Sequence, residues 1–158
     1  MLVQEKVKEL KGHLSIKMYR AGKLLVVEEI DNLIVTQGRL NLAKLLSGLN
    51  GMHVTHIGIG TGTDAAISTD TALTEVVKVA ITSAKVAQGL TAPDGTLFDD
   101  PKMVQFHFRL GLDVAVGVTI GEYGLFCGDG TLFSRIVRTS TFTKTAIDAI
   151  EGYWQIQF

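Results

Sequence analysis

The chain has 158 residues, of which 46% are hydrophobic and 20% are charged. It therefore has the size of one ordinary domain and enough apolar residues to bury a core. Its 15 basic and 16 acidic residues nearly cancel, which argues against binding to nucleic acid through electrostatic attraction. The apolar runs are too short to span a bilayer, and the N-terminus lacks the apolar core of a secretory signal. The sequence thus predicts a protein made in the cytoplasm without a membrane partner, and its single cysteine excludes an intramolecular disulfide.

The first element in chain order is a short amphipathic segment, whose residues Val3, Val7 and Leu10 fall on one helical face. We predict that residues 1–11 form a short N-terminal helical arm and that residues 12–158 form a single β-rich domain. An isolated helix of this length is marginal in water, so the arm should gain order by docking. Its three apolar residues are then the contact residues of an assembly arm. Docking onto a neighbouring subunit and folding back onto its own sheet both remain open.

A β-hairpin is predicted next. The stretch HLSIKMYR, residues 13–20, alternates apolar and polar side chains, with Leu14, Ile16 and Met18 on one face. The letters AGK at residues 21–23 can then turn the chain into the apolar stretch LLVVEEI. Apolar stretches on both sides of a tight turn are typical of two antiparallel strands.

The sequence predicts one helix packed on the sheet, at about residues 37–48. Thr36 can cap its start, and Gly48 or Gly51 can end it. Four leucines recur there at helical spacing: Leu42, Leu45, Leu46 and Leu49.

The rest of the chain shows strand patterns separated by turns. Residues 54–60 are extended, and the β-branched residues within 71–86 favour a strand over a short helical turn. Residues 103–112 alternate over a long run, residues 122–138 predict a strand, a Gly-Asp-Gly turn and a second strand, and residues 151–158 alternate again. The patterns together predict a mainly β (α+β) fold, an antiparallel β-sandwich or sheet with one packed helix.

One glycine-rich stretch invites comparison with phosphate-binding loops. The letters GTGTDA at residues 60–65 match the loose G-x-G-x-x-A form of a dinucleotide fingerprint, whose mechanism needs a helix directly after the glycines. Here the polar stretch AISTDT follows, Asp64 and Asp70 would repel a phosphate, and no lysine lies between Lys44 and Lys78. We therefore predict that the glycines let the chain turn sharply and that the protein binds no nucleotide and has no cofactor.

Metal and catalytic patterns are equally weak. Among the four histidines only His53 and His56 are close, and their spacing is not a recognised metal pattern. Cys127 lies in a stretch typical of a buried or turn-edge thiol, and Glu28 and Glu29 point to opposite faces of a strand. We predict no metal site, no catalytic residue and no enzymatic activity. Three arginines on polar strand faces are expected to be solvated: Arg109, Arg135 and Arg138.

Several of these stretches, taken in order, resemble one family. They are NLIVTQGRLNLAKLLSG at residues 32–48, THIGIGTGTDAAISTDTALTEVVK at residues 55–78, IGEYGLFCGDGTLFSR at residues 120–135, and the closing YWQIQF. The order and spacing of these stretches are similar to those of the domain at the start of tail-collar and tail-fibre proteins of tailed bacteriophages. Such proteins usually continue into a repetitive shaft, so this chain is more similar to a free-standing attachment, collar or tail component.

The resemblance implies a virion structural protein, a tail, collar or baseplate component or a fibre-attachment adaptor, that acts through protein–protein interfaces. Its partners would be other virion structural proteins and further copies of itself in a homo-oligomer, and its location would be the virion. A head-decoration or neck protein is an alternative within this class. A carbohydrate-binding β module is an alternative from another class, and its candidate aromatic residues are Tyr19, Tyr123, Tyr153 and Trp154.

Overall fold

The computed structural model describes residues 9–86, 90–91, 95, 97–98 and 102–158. These residues form a mainly β fold with one short helix, which confirms the predicted fold class. The elements in chain order are β1 (Lys11–Arg20), β2 (Lys23–Ile34), α1 (Thr36–Leu46), β3 (Val54–Gly60), β4 (Val77–Ala80), β5 (Ser83–Val86), β6 (Leu90–Thr91), β7 (Leu97–Phe98), β8 (Met103–Leu110), β9 (Thr119–Cys127), β10 (Leu132–Thr143) and β11 (Asp148–Gln157).

The β1–β2 hairpin forms as predicted. Leu14, Ile16 and Met18 are buried, while the residues between them are only partly buried. The turn between the strands consists of Ala21 and Gly22, whose φ angles are 49° and 77°. Two positive φ angles are what a tight two-residue hairpin turn requires, so the local sequence accounts for the position of the turn.

Nine strands form one antiparallel sheet in the order β4-β3-β9-β10-β2-β1-β11-β8-β5. β2 belongs to both halves of this sheet: residues up to Asn32 pair with β1, whereas Leu33 and Ile34 pair with β10. A strand that changes partner along its length bends the sheet. The sheet therefore curls, with its two halves facing each other.

The segment between β4 and β5 joins the two outer ends of the curled sheet. The Ile81 amide donates to the carbonyl of Thr55 in β3 at 3.0 Å, and the next amide, of Thr82, donates to the carbonyl of His107 in β8 at 2.7 Å. Two neighbouring residues thus bond to opposite halves of the sheet. This crossing covers the edges of β3 and β8, which would otherwise offer unpaired backbone groups.

The main core lies between the two halves of the sheet. Its largest fully buried side chains include Trp154 and Tyr123. The alternation predicted for residues 151–158 is present in β11, where Trp154 and Ile156 are buried, whereas Phe158 at the end of that pattern is exposed. The predicted face of β8 ends earlier than expected, because the strand stops at Leu110 and Leu112 is 54% exposed.

β9 is covered on both faces. Its inward side chains contribute to the main core, and its outward residue Phe126 packs in a second, smaller core with Val35 and Leu132, against which Leu73 lies. Leu73 belongs to the loop of residues 61–76, which connects β3 to β4. This loop therefore acts as a layer outside the sheet.

α1 confirms the predicted helix, but its start differs from the expectation. Thr36 is the first helical residue rather than the cap; the N-cap is Val35, which makes no side-chain capping bond. The Thr36 amide instead donates to the carbonyl of Ser68 in the outer loop at 2.8 Å. The exposed amides at a helix start need acceptors, and here a tertiary contact supplies one. The helix ends at Leu46, and Gly48 follows with a φ of 72°.

The predicted N-terminal arm lies almost entirely outside the described residues. Val3 and Val7 belong to residues 1–8, so their role stays a prediction. Leu10 packs against the main core of its own chain. Glu9 Oε1 lies 3.4 Å from Arg39 Nη2, so the chain enters the fold beside α1.

Asp148 at the start of β11 is a buried carboxylate with several donors. Arg20 donates to it from Nε at 2.8 Å and from Nη2 at 3.1 Å. The amide and the hydroxyl of Thr145 also donate to it, at 2.8 Å and 2.7 Å. Arg20 is the main cause that holds the pKa of the Asp148 carboxyl well below its usual range, although burial acts in the opposite direction.

This pairing predicts a specific dependence of stability on pH. An unfolded aspartate titrates at about pH 3.9, so the stabilisation from Asp148 is fully present above that pH. It is lost as the pH falls below that value toward the lower folded-state pKa. We expect Asp148→Asn to lower the melting temperature at pH 7 and to flatten its decline below pH 4. Circular dichroism melts between pH 2 and pH 7 measure both effects. Asp64→Asn, at an exposed position, is the control and should retain the wild-type profile.

Candidate functional site

The stretch GTGTD that begins the outer loop is held by a carboxylate from β9. Glu122 is fully buried, and its Oε1 accepts hydrogen bonds from the Gly62 amide at 3.0 Å and the Thr74 amide at 2.6 Å. The loop also closes on itself, because the Thr61 amide donates to the Thr74 carbonyl at 3.0 Å. These amides therefore already have anionic or carbonyl acceptors within the protein.

Arg135 on β10 completes this cluster, which we call the loop network (Glu122, Arg135, Asp70, Gly62 and Thr74). Its Nε donates to Glu122 Oε2 at 2.7 Å, its Nη1 to Asp70 Oδ2 at 2.7 Å, and its Nη2 to the Asp64 carbonyl at 3.1 Å. Burial raises the pKa of Asp70, but the Ile67 amide and Arg135 outweigh it and lower the pKa overall. Each charge in the cluster thus has an opposite charge in direct contact.

Two glycines leave room for the buried Glu122. A Cβ on Gly62 would lie 2.5 Å from Glu122 Oε1, and a Cβ on Gly121 would collide with the Gly62 carbonyl. At either position a side chain would fit only if the loop moved. The glycines are therefore required by the close approach of loop, strand and carboxylate, and their spacing is unrelated to phosphate binding.

We predict that the protein binds no nucleotide. The amides that a phosphate would need are engaged by Glu122, and the stretch after the glycines is a loop rather than a helix. Calorimetric titration with ATP and with NAD should give no heat beyond dilution. A dissociation constant in the micromolar range for either ligand would show that this interpretation of the loop is wrong.

The expectation of solvated arginines is wrong for two of the three. Arg135 and Arg138 are both buried, whereas Arg109 is exposed. Arg138 Nη2 lies 2.5 Å from Glu28 Oε1, across the gap between β10 and β2. Arg135 is covered by the outer loop, and Arg138 is buried beside Glu28 of β2. Residues three apart lie on opposite faces of a regular strand, so one polar face of β10 cannot account for both arginines. They are structural residues of the fold.

Of the four leucines at helical spacing, Leu42 packs against the main core, whereas Leu45, Leu46 and Leu49 are exposed. The buried residues of the helix are Gly38 and Asn41. A Cβ at Gly38 would collide with the Phe133 backbone, so this close contact selects the face that packs on β10. The C-terminal end of the helix and the turn after it carry an exposed group that we call the leucine patch: Leu45 (42% exposed), Leu46 (83%) and Leu49 (67%).

Asn41 fixes the chain that follows α1. Its Nδ2 donates to the carbonyl of Met52 and, at 3.2 Å, to Cys127 Sγ, while its Oδ1 accepts from the Met52 amide at 3.0 Å. The side chain thus satisfies both backbone groups of one residue in the turn before β3. The leucine patch is therefore presented on a rigid support, since both the helix and the following turn are anchored.

An apolar groove lies beside the leucine patch, with a volume of about 320 Å³. It runs between α1 and the ends of β5, β8 and β11. Its lining is almost entirely apolar and includes exposed side chains, among them Leu45, Met52, Val86 and Phe158. An apolar concavity of this kind is a candidate binding site for another segment of protein.

The residues considered for chemistry lie apart from one another. His13 contacts Glu29 and Asp31 on the outer face of the hairpin, and His107 contacts Glu151. Burial raises the pKa of the Cys127 thiol to about 11, with a smaller contribution from Asp129. Among the described residues, no group of three or more histidine, cysteine, aspartate or glutamate residues is placed to hold a metal.

Two further observations bear on the kind of protein this is. Within the described part of the chain, no helix combines the length and hydrophobicity needed to cross a bilayer. No protein-family model, curated protein sequence or solved structure matches the chain.

Reasoning from the sequence did not predict two features of the site. These are the loop network and the outward direction of the leucine patch.

Proposed function

We propose that the protein is a structural subunit of a tailed bacteriophage virion, in the tail, collar or baseplate or as a fibre-attachment adaptor. It acts through protein–protein interfaces, forms a homo-oligomer and binds other virion structural proteins. It is made in the host cytoplasm and is incorporated into the virion. It carries out no reaction of its own.

The observation that carries this proposal is the leucine patch. Leu46 and Leu49 are neighbouring exposed leucines at the end of a helix that Gly38 and Asn41 anchor to the rest of the fold. Each leucine covered by a partner would contribute roughly 1.5–3 kcal/mol. A rigid apolar helix face is a common recognition element between proteins, so a partner surface explains the patch better than the fold of the single chain does.

The loop network supports the use of the phage resemblance to assign the protein to the class of virion structural proteins. The stretches that carry the resemblance contribute Gly62 and Asp70, then Glu122, then Arg135, and these four residues contact one another directly. Their shared role is to hold a rigid outer loop on the sheet. In a family with these stretches in the same order, they would serve to hold the outer loop on the sheet.

The glycan-binding alternative loses two of its four candidate aromatic residues. Tyr123 and Trp154 are fully buried in the main core, so neither ring can stack on a sugar. Tyr153 packs against His107, with ring centroids 4.7 Å apart, and Tyr19 is partly buried. A head-decoration or neck protein would use the same kind of interface, so it stays the alternative within the structural class.

Mass spectrometry of purified phage particles tests the proposed location. Particles from a phage that carries this gene should contain the protein in fixed proportion to a tail protein through successive density gradients. Labelling with an antibody to the protein should then mark the tail end of the particle in electron micrographs. Label on the head would favour the decoration or neck alternative, and a protein found only in the lysate would contradict the virion role.

A further inference from the structure

The apolar groove is a docking surface whose occupant can be inferred from where the chain enters the fold. Glu9 pairs with Arg39 of α1, and Asn41, Leu42 and Leu45 of the same helix line the groove. The point at which the preceding residues leave the described fold is therefore at the groove.

The first strand approaches the groove from its other side. β1 begins with Lys11, which pairs with Gln157, and the flanking residues Ile156 and Phe158 both line the groove. Leu10 packs against the main core of its own chain. Eight further residues precede Glu9, and they span at most about 28 Å when extended or about 12 Å as a helix.

The chemistry of those residues matches the lining. Residues 1–8, MLVQEKVK, place Val3 and Val7 four positions apart, which puts both on one side of a helical turn. An apolar pair on one side of a short segment suits a groove whose lining is almost entirely apolar.

We propose that residues 1–8 of the same chain dock in the apolar groove, with Val3 and Val7 as the contact residues. Anchoring at Glu9 gives the segment a high effective concentration at its own groove, which favours it over the same segment of another copy. The sequence leaves two positions open for the arm, on a neighbouring subunit or folded back on its own chain. This proposal is the second of them. The proposal is independent of the virion role, and it leaves Leu46 and Leu49 free for a partner.

Disulfide trapping in dilute solution tests this directly. Val3→Cys and Val7→Cys are each combined with Met52→Cys or Val86→Cys, both exposed positions in the groove lining. Cys127 is buried and should not compete. We expect at least one pair to form an internal disulfide on mild oxidation. Mass spectrometry would then show a monomer whose two introduced cysteines no longer react with a thiol reagent. The control pairs Val7→Cys with Leu24→Cys, an exposed position near the far end of the hairpin, and should stay reduced.

Two outcomes would overturn the proposal. The single variants Val7→Cys and Met52→Cys, mixed in equal amounts, would form a covalent heterodimer if the groove took the segment of a second copy. No disulfide in any of the four pairs would mean that the groove takes a different partner. Either result rules out docking of the chain's own N-terminal segment.

Thermal melts provide a second readout that does not depend on disulfide geometry. Replacing Val3 and Val7 by serine should lower the melting temperature by roughly 5 °C, through loss of buried apolar area. Replacing Gln4 and Lys8 by serine is the matched control and should leave it unchanged. Equal melting temperatures for the two double variants would contradict docking by the valines.

Discussion

Leu125→Asp is expected to prevent folding. Leu125 is fully buried in β9, where it pairs with Ile57 of β3 and Ser134 of β10 in the interior of the sheet. The substitution removes a core side chain and places a carboxylate where no partner is available, which together cost at least about 4 kcal/mol. Domains of this size are stable by only about 5–15 kcal/mol, so we expect insoluble protein on expression, or a much lowered denaturation midpoint if soluble material is recovered.

Leu112→Asp is the matched control for this substitution. Leu112 is a leucine beyond the end of β8 and is 54% exposed, so the same change should leave solubility and the denaturation midpoint close to wild type. If Leu125→Asp melted within a few degrees of wild type, β9 could not be an interior strand and the sheet order given above would be wrong.

Glu122→Gln is expected to destabilise the loop network without altering its shape. The glutamine can still accept from the Gly62 and Thr74 amides through its oxygen, but its NH2 group then faces Arg135 Nε, which is also a donor. Arg135 keeps its contact with Asp70, but its Nε then lacks an acceptor in a buried site, which costs about 1–3 kcal/mol. We expect a corresponding loss in urea denaturation, and faster hydrogen exchange at the Gly62 and Thr74 amides because the loop opens more often.

Glu75→Gln separates this effect from the general loss of a negative charge. Glu75 lies at the end of the same loop but is exposed, so its substitution should change neither stability nor exchange. Unchanged denaturation and unchanged exchange for Glu122→Gln would mean that the buried carboxylate does not hold the loop, and that the glycines have another purpose.

Strand patterns were predictable because each depends on local alternation. The inward residues of β1 and β11 appear directly in the sequence, since one face of each strand is buried and the other is not. β9 is different, because both of its faces are covered and Glu122 lies on the face beneath the outer loop. A contact between residues 62 and 122 has no local signature. The glycines around residues 60, 62 and 121 were the only available signal that something bulky lies close to the backbone.

The helix illustrates a second limit of sequence reasoning. Leucine spacing predicts a helix at about residues 37–48 with an apolar side, and a helix is found at residues 36–46. It does not reveal whether that side packs on the chain's own sheet or remains outside. The close approach of Gly38 to Phe133 and the bonds of Asn41 to Met52 decide this, and both depend on residues distant in sequence. The arginines of β10 show the same limit, because no local pattern reveals that the outer loop covers Arg135 or that Glu28 of β2 lies against Arg138.

Sedimentation velocity of the wild type and of Leu46→Glu/Leu49→Glu tests most directly whether the leucine patch is a protein–protein interface. Both leucines are largely exposed, so the double variant should retain the wild-type melting temperature measured under conditions where both are monomeric. We predict that the wild type sediments as an oligomer at micromolar concentration and the double variant as a monomer. Leu24→Glu, an exposed leucine on β2, should sediment as the wild type does. A wild type that stays monomeric at every concentration, or a double variant with the same oligomeric state as the wild type, would contradict the proposed interface.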